Sequence, residues 1–290
     1  MLPSRFALHR PPSVEAAIEL LDRHGEAATP FAGGTELLVA MKARALRYDH
    51  VVDLKKITSL RGVRRLADGG AMIGPLSTHR ELSSDPVLAE VLPTYGALSS
   101  NIANVRVRAS GTIGGNLCFA EPHADPPTYL CAADAVVHLA GPRGERALPL
   151  ARFLTGEFST ARAHDEILTG IEIPPSAVTS RIAYESIGHL ERPAVNVACR
   201  ADDLDGQRRF RFVVGAACGR PTELPALTGQ LPASDEVEAG IRIRQLAEAA
   251  CDKLGDVADD LFGSADYKRH LAAVLICRTF MKIRSMEVRQ

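Results

Sequence analysis

Two short glycine-bearing runs hold the residue types from which a site for a charged ligand is built. They are Ala32-Gly33-Gly34-Thr35-Glu36 and Gly111-Thr112-Ile113-Gly114-Gly115-Asn116. Each precedes a stretch that reads as a helix start. Glycine permits positive φ and lets a ligand meet the main chain with no Cβ in the way. Successive free N–H groups at such a turn, backed by a helix N-terminus, hold an anion without a basic side chain. Neither run contains Lys or Arg, so anionic groups would be held mainly by backbone. About eighty residues separate the runs, and together they read as two jaws closing on one phosphate-bearing cofactor.

The chain that must position these jaws has 290 residues, enough for two domains. It is 46% hydrophobic and 24% charged with a formal charge of −1, which leaves no electrostatic footprint for nucleic acid. No run of about eighteen apolar residues predicts a membrane span. The N-terminus lacks the apolar core of a signal peptide, so the expected location is cytoplasmic. The six cysteines, at 118, 131, 199, 218, 251 and 277, form no CxxC and no Cys/His cluster of ligand spacing. Neither zinc nor an iron–sulfur cluster is therefore expected on this chain. Most of these cysteines read as buried small hydrophobes in a reducing compartment. Cys118 stands apart because it adjoins the second glycine run.

Residues 13–24 predict a helix with Ser13 as N-cap and Gly25 as stop. A strand ending at Phe31 enters the first glycine run, a helix follows from Glu36 to about Ala45, and strands are expected at Val51–Leu54 and Ala71–Gly74. Residues 86–104 read as helical with a break at Pro93. Asp125-Pro126-Pro127 opens a helix through Ala133, with Asp as cap and Pro in the first turn. Strands recur at Ala135–Ala140, Ala147–Leu150 and Ile167–Ile173. Pro174-Pro175-Ser176-Ala177 reads as a linker. Beyond it lie strand-like runs at Arg181–Ser186, Ala194–Ala201 and Phe210–Ala217, the last two joined by a hairpin turn at Asp205-Gly206. Helices at about 236–254 and 266–284 close the chain, the second with a basic face read as solvated or as a docking surface.

Taken together, these motifs resemble a family: the FAD-binding medium subunits of the molybdenum hydroxylases, of carbon monoxide dehydrogenase and xanthine dehydrogenase type. The resemblance runs from Phe6 and His9-Arg10-Pro11 through Ala32-Gly33-Gly34-Thr35-Glu36-Leu37 with Met41-Lys42, then Val52-Asp53-Leu54 and Ile73-Gly74. It continues in Arg106-Val107-Arg108, the second glycine run, Asp125-Pro126-Pro127, and Glu166 to Pro174. It implies an α+β fold: a two-subdomain, PCMH-type FAD-binding domain over residues 1–175 (subdomains about 1–56 and 57–175). A smaller C-terminal domain, 180–290, follows with a three-stranded antiparallel sheet and helices. No GxGxxG after a strand argues for a Rossmann domain instead.

The resemblance also implies roles. The first loop, Pro30-Phe31-Ala32-Gly33-Gly34-Thr35-Glu36-Leu37, wraps the pyrophosphate and reaches the flavin; helix capping is the plain alternative for Thr35 and Glu36. In the second loop Gly111, Thr112, Gly114, Gly115 and Asn116 match FAD-contacting positions, Asn116 being otherwise a turn residue. Asp125 matches a carboxylate that accepts from the cofactor's sugar hydroxyls, or else caps the next helix. Leu168 matches an apolar residue on the isoalloxazine, or is a core strand residue. Ile102 stands where some relatives place an aromatic ring. After residue 184 the chain departs from the pattern: Tyr184-Glu185-Ser186 replaces a flavin-contacting Lys, and Gly188-His189-Leu190-Glu191-Arg192-Pro193 replaces a loop bearing Tyr. His189, Glu191 and Arg192 are then candidates for the flavin's exposed edge or a partner surface.

The function implied is electron transfer. Electrons from a molybdenum cofactor on a large partner chain pass through [2Fe–2S] clusters on a small partner chain to this FAD, in a dimer of heterotrimers. FAD then gives them to an external acceptor. No residue here is expected to act as acid, base or nucleophile. The rival readings are a self-sufficient flavin oxidase or reductase of the same superfamily, and a member that has lost its flavin. The C-terminal domain, about 110 residues, is small for the first, and the intact glycine loops oppose the second.

Overall fold

The computed structural model describes residues 3–189, 191–204, 207–227 and 236–287. The chain opens with β1 (Ala7–His9), α1 (Val14–His24), β2 (Ala28–Phe31), α2 (Leu37–Lys42) and β3 (His50–Asp53). The three strands form a parallel sheet in the order β1-β3-β2. Ser13 Oγ accepts from the Ala16 N–H at 3.2 Å, and Gly25 ends α1 with a φ of 54°. Ala17 and Leu21 of α1 pack with Ala28 and Val52 of the sheet. α2 stops at Lys42, short of the expected Ala45, and Arg44 just beyond it has a φ of 62°. Neither Thr35 nor Glu36 caps it with a side chain.

The middle of the chain adds β4 (Val63–Arg65) and β5 (Ala71–Ile73). Six short helices follow: α3 (His79–Leu82), α4 (Pro86–Val91), α5 (Tyr95–Asn101), α6 (Val105–Ser110), α7 (Ile113–Phe119) and α8 (Pro126–Ala132). Pro93 separates α4 from α5, as its missing N–H and fixed ring require. Next come β6 (Val136–Gly141), β7 (Gly144–Pro149), α9 (Leu150–Phe153), β8 (Leu154–Gly156), β9 (Ser159–Thr160) and β10 (Ile167–Ile173). A five-stranded antiparallel sheet, β4-β5-β10-β6-β7, carries the helices on a core that includes Ile73, Tyr95, Ile113, Tyr129 and Ile171. Asp125 does not cap α8: it takes helical angles itself and makes no capping bond.

The expected linker holds one helical turn, α10 (Pro175–Val178). The C-terminal part is β11 (Arg181–His189), β12 (Arg192–Leu204), β13 (Gln207–Gly215), β14 (Thr222–Glu223), α11 (Glu236–Cys251) and α12 (Ala265–Glu287). The three long strands are the expected ones, the first two extended and the third shifted to end at Gly215 rather than Ala217, where Ala216 turns with a φ of 60°. The two-residue β14 adds a fourth to the antiparallel order β11-β12-β13-β14. Asp205-Gly206 lies outside the described residues, although Leu204 pairs with Gln207 on either side of it. Phe210 and Phe212 pack against Ile243 of α11 and against Leu275 and Phe280 of α12. Part of the basic face of α12 is engaged within the chain. Lys268 is 2% exposed, donates to the Ala258 carbonyl at 3.0 Å and pairs with Asp260 at 2.5 Å. Lys282 pairs with Glu185 at 2.5 Å.

Buried Arg200 of β12 ties the two parts together. It donates to Asp134 beyond α8 at 2.8 Å and to the Ser176 carbonyl at 3.0 Å. Thr128 of α8 donates to Asn196 of β12 at 2.7 Å. No helix among the described residues is long and apolar enough to cross a membrane.

Candidate functional site

A cleft of about 790 Å³ opens between the parallel-sheet subdomain and the five-stranded one. Both glycine loops face it. Pro30 through Leu37, Ile102, Thr112, Gly114, Gly115, Asn116, Asp125 and Leu168 all line it. Gly111 does not. Its carbonyl accepts from the His79 N–H at 3.0 Å and its own N–H donates to the Val107 carbonyl at 2.6 Å, so it serves the wall from behind.

The two loops do different work. In the first, the consecutive N–H groups of Ala32 through Leu37 have no acceptor among the described residues, and Gly34 turns the chain with a φ of 74°. Such a run forms an anion-binding nest. In the second, the N–H groups are spent on the protein: Ile113 on the Ser77 carbonyl at 3.0 Å, Gly114 on the Pro75 carbonyl at 2.8 Å, and Gly115 on Thr112 Oγ1 at 3.2 Å. The expectation of free backbone donors in both jaws therefore holds only for the first. The second loop offers instead the Asn116 Oδ1, buried with no partner, and the exposed Gly115. A Cβ on Gly115 would meet only Thr112 Oγ1, at 3.0 Å, whereas one on Gly33 would collide with the Ser110 carbonyl of the opposite jaw. Gly33 is thus glycine because the jaws touch there. Thr35, free of any capping bond, has a hydroxyl available to a ligand.

Ile102 and Leu168 give the cleft apolar surface, at 7% and 5% exposure, and Leu168 stands at an irregularity in β10. Acidic groups gather at the C-terminal side. The Tyr184 hydroxyl donates to Asp125, whose carboxyl is pushed up to about 6 chiefly by burial, against that hydrogen bond and with Glu121 adding to the rise. Glu121 is also raised, by burial, while Arg192 opposes the shift. Arg192 pairs with Glu121 at 3.1 Å and with Glu36 at 3.4 Å, and Asn104 donates to Glu191 at 2.9 Å. The β11–β12 hairpin thereby reaches from the C-terminal sheet to both walls. His189 ends β11, and Leu190 lies outside the described residues.

Three wall residues have no clear mark in the sequence. His79 follows the capping box of Thr78 and Glu81, which locates a helix start but says nothing of burial. It is 2% exposed, its imidazole is held down at about 4 by loss of water, and its Nδ1 has no partner. Arg162 donates to the Ala163 and Glu166 carbonyls at 2.9 and 2.8 Å and brings a cation to the wall. Phe158, 58% exposed, stands at the rim. Cys118 also faces the cleft, but burial raises its thiol and keeps it protonated.

A backbone nest, apolar walls and acceptors for hydroxyl groups, set between two subdomains and latched by a third unit, define an α+β protein built around an extended nucleotide cofactor. Residues 4–176 match the family described as the FAD binding domain in molybdopterin dehydrogenase. The chain is 36% identical over 288 residues to the carbon monoxide dehydrogenase medium chain of Afipia carboxidovorans, with 96% of each covered. It is 35% identical over 216 residues to the xanthine dehydrogenase FAD-binding subunit of Escherichia coli O157:H7, covering 72% of this chain and 73% of that one. A solved carbon monoxide dehydrogenase structure from Hydrogenophaga pseudoflava superimposes with a TM-score of 0.90 at 30% identity, covering 98% of this chain and 99% of its counterpart. The chain belongs to the family of FAD-binding medium subunits of the molybdenum hydroxylases. The residues present fit that cofactor: unpartnered N–H groups suit a pyrophosphate, the Asn116 oxygen lacks a donor, and Asp125 can accept from sugar hydroxyls.

Proposed function

We propose that this chain binds one FAD non-covalently in the cleft and relays electrons from [2Fe–2S] clusters of a partner chain to an external acceptor. The observation that carries this reading is the run of unpartnered N–H groups from Ala32 to Leu37 facing the buried, unpartnered Asn116 oxygen across one cleft. Bound FAD supplies the capacity to collect electrons singly and release them in pairs. The residues supply the rest. Pro30 to Leu37 hold the pyrophosphate through main-chain donors and the Thr35 hydroxyl. Thr112, Gly114, Gly115 and Asn116 form the opposing surface, with Gly111 fixing its backbone. Asp125 accepts from sugar hydroxyls, and Ile102 and Leu168 exclude water from the ring system.

The division of the chain follows the same reading: residues 1–175 bind the cofactor, with a subdomain boundary near 56, and 180–290 close over it. The partners are a small [2Fe–2S] chain and a large molybdopterin chain, assembled as a dimer of heterotrimers, where substrate is oxidised on the large chain. Purification of a tagged copy at native expression levels tests this. Recovery of two further chains carrying iron and molybdenum, with no substrate oxidation by the isolated flavoprotein, is the expected result. Recovery of the chain alone, with turnover of its own, would favour a self-sufficient flavin enzyme.

A further inference from the structure

We propose that His9, His24 and His50 form a site for one divalent transition-metal ion of the zinc class, apart from the cofactor cleft. Fifteen and twenty-six residues separate them in sequence, so no ligand spacing announces them. The fold brings them together: His9 ends β1, His24 ends α1 and His50 begins β3. One ring nitrogen from each lies within 4.8 Å of the others, and all three side chains are half-buried.

The chemistry of the donor set selects the ion. Three imidazoles without a carboxylate suit Zn²⁺, Cu²⁺ or Ni²⁺ rather than Mg²⁺ or Ca²⁺, which demand oxygen. His9 Nε2 and His50 Nδ1 already face each other at 3.0 Å. Two nitrogens on one tetrahedral zinc lie about 3.3 Å apart, so an ion can replace their shared proton with a roughly 0.3 Å opening. His24 is the ligand that must move. Its ring stacks on His50 with centroids 3.7 Å apart and planes within 16°, so its lone pair does not yet point where theirs meet. It stands in the last helical turn, where the carbonyl end of α1 favours a cation, and a Cβ built on neighbouring Gly25 would meet nothing within 4 Å. Water takes the fourth position. The ion would clip α1 to the edge strand β1 and the central strand β3 of the parallel sheet. His50 pairs with Ala28 at one end of β2, while the first glycine loop leaves from Phe31 at the other.

The test uses the full FAD-loaded chain without a polyhistidine tag. Equilibrium dialysis against Zn²⁺ should give one ion per chain with micromolar affinity, falling as pH drops through the imidazole range. Co²⁺ should give the visible bands of a tetrahedral site. His24→Ala, at a helix end remote from the cleft, should keep its flavin and circular dichroism. It should lose more than the roughly tenfold affinity that removal of a supporting partner costs. Zinc uptake by the wild type no greater than that of a His9→Gln/His24→Gln/His50→Gln variant would overturn the proposal. So would an unchanged affinity in His24→Ala, which needs no other variant to fold.

Discussion

The Tyr184 hydroxyl on the first strand of the C-terminal sheet donates to the carboxylate of Asp125 at the cleft wall. One oxygen of the carboxylate, Oδ1, is thereby held by the C-terminal part. The same bond joins the C-terminal sheet to the segment that leads into α8.

Asp125 gives a pH dependence of definite sign. Its pKa rises from 3.8 to about 6 on folding, so its contribution to stability is full below 3.8 and is lost as pH rises through 6. In the cofactor-free chain, Asp125→Asn should raise stability at pH 7 by on the order of 1–2 kcal/mol and change it little near pH 4. Hydroxyl donors favour the ionised carboxylate, so FAD affinity of the wild type should improve as pH rises from 5 to 7, and that of Asp125→Asn should stay flat and weaker. Flavin fluorescence titrations across this range check both; a pH-independent wild type contradicts the role.

His79 predicts the opposite slope. Its pKa falls from 6.5 to about 4, so the unfolded chain takes a proton that the folded one refuses, and stability declines as pH drops through this window. Urea unfolding at pH 7 and pH 5 should show His79→Gln losing less stability than the wild type, by up to about 2 kcal/mol. Equal losses would place the imidazole in contact with water.

Much of this architecture is legible locally. Ser13 and Gly25 bound α1, Pro93 splits two helices, and Pro126 sits in the first turn of α8, because caps and missing donors act within a few residues. What escapes the sequence depends on distant partners. Gly33 is dictated by the Ser110 carbonyl of the other jaw, and the donors of the second loop are spent on Pro75 and Ser77. Asp125 has Pro126 behind it, like a cap, yet turns to Tyr184, fifty-nine residues on. Lys268 looks like part of a solvated face until Ala258 and Asp260 fold over it.

The latch predicts a kinetic effect without a large thermodynamic one. Arg192 is 43% exposed; its pair with half-exposed Glu36 is worth about 0.5 kcal/mol, and its pair with the more buried Glu121 about 1 kcal/mol. Arg192→Ala should move the melting temperature by no more than a few degrees, roughly what such a loss gives. Flavin release on dilution should accelerate several-fold. An unchanged release rate would remove the hairpin from cofactor retention.

A visible spectrum of the purified chain shows whether FAD sits on the two glycine loops. The wild type, reconstituted with FAD, should show one flavin per chain that denaturant releases. Gly115→Val should show none while keeping its circular dichroism, because the added side chain points into the cleft with only Thr112 Oγ1 near its Cβ. Gly33→Ala should instead lose the fold, through its collision with the Ser110 carbonyl. Full flavin absorbance in Gly115→Val, or a colourless wild type after reconstitution, would place the cofactor elsewhere or nowhere on this chain.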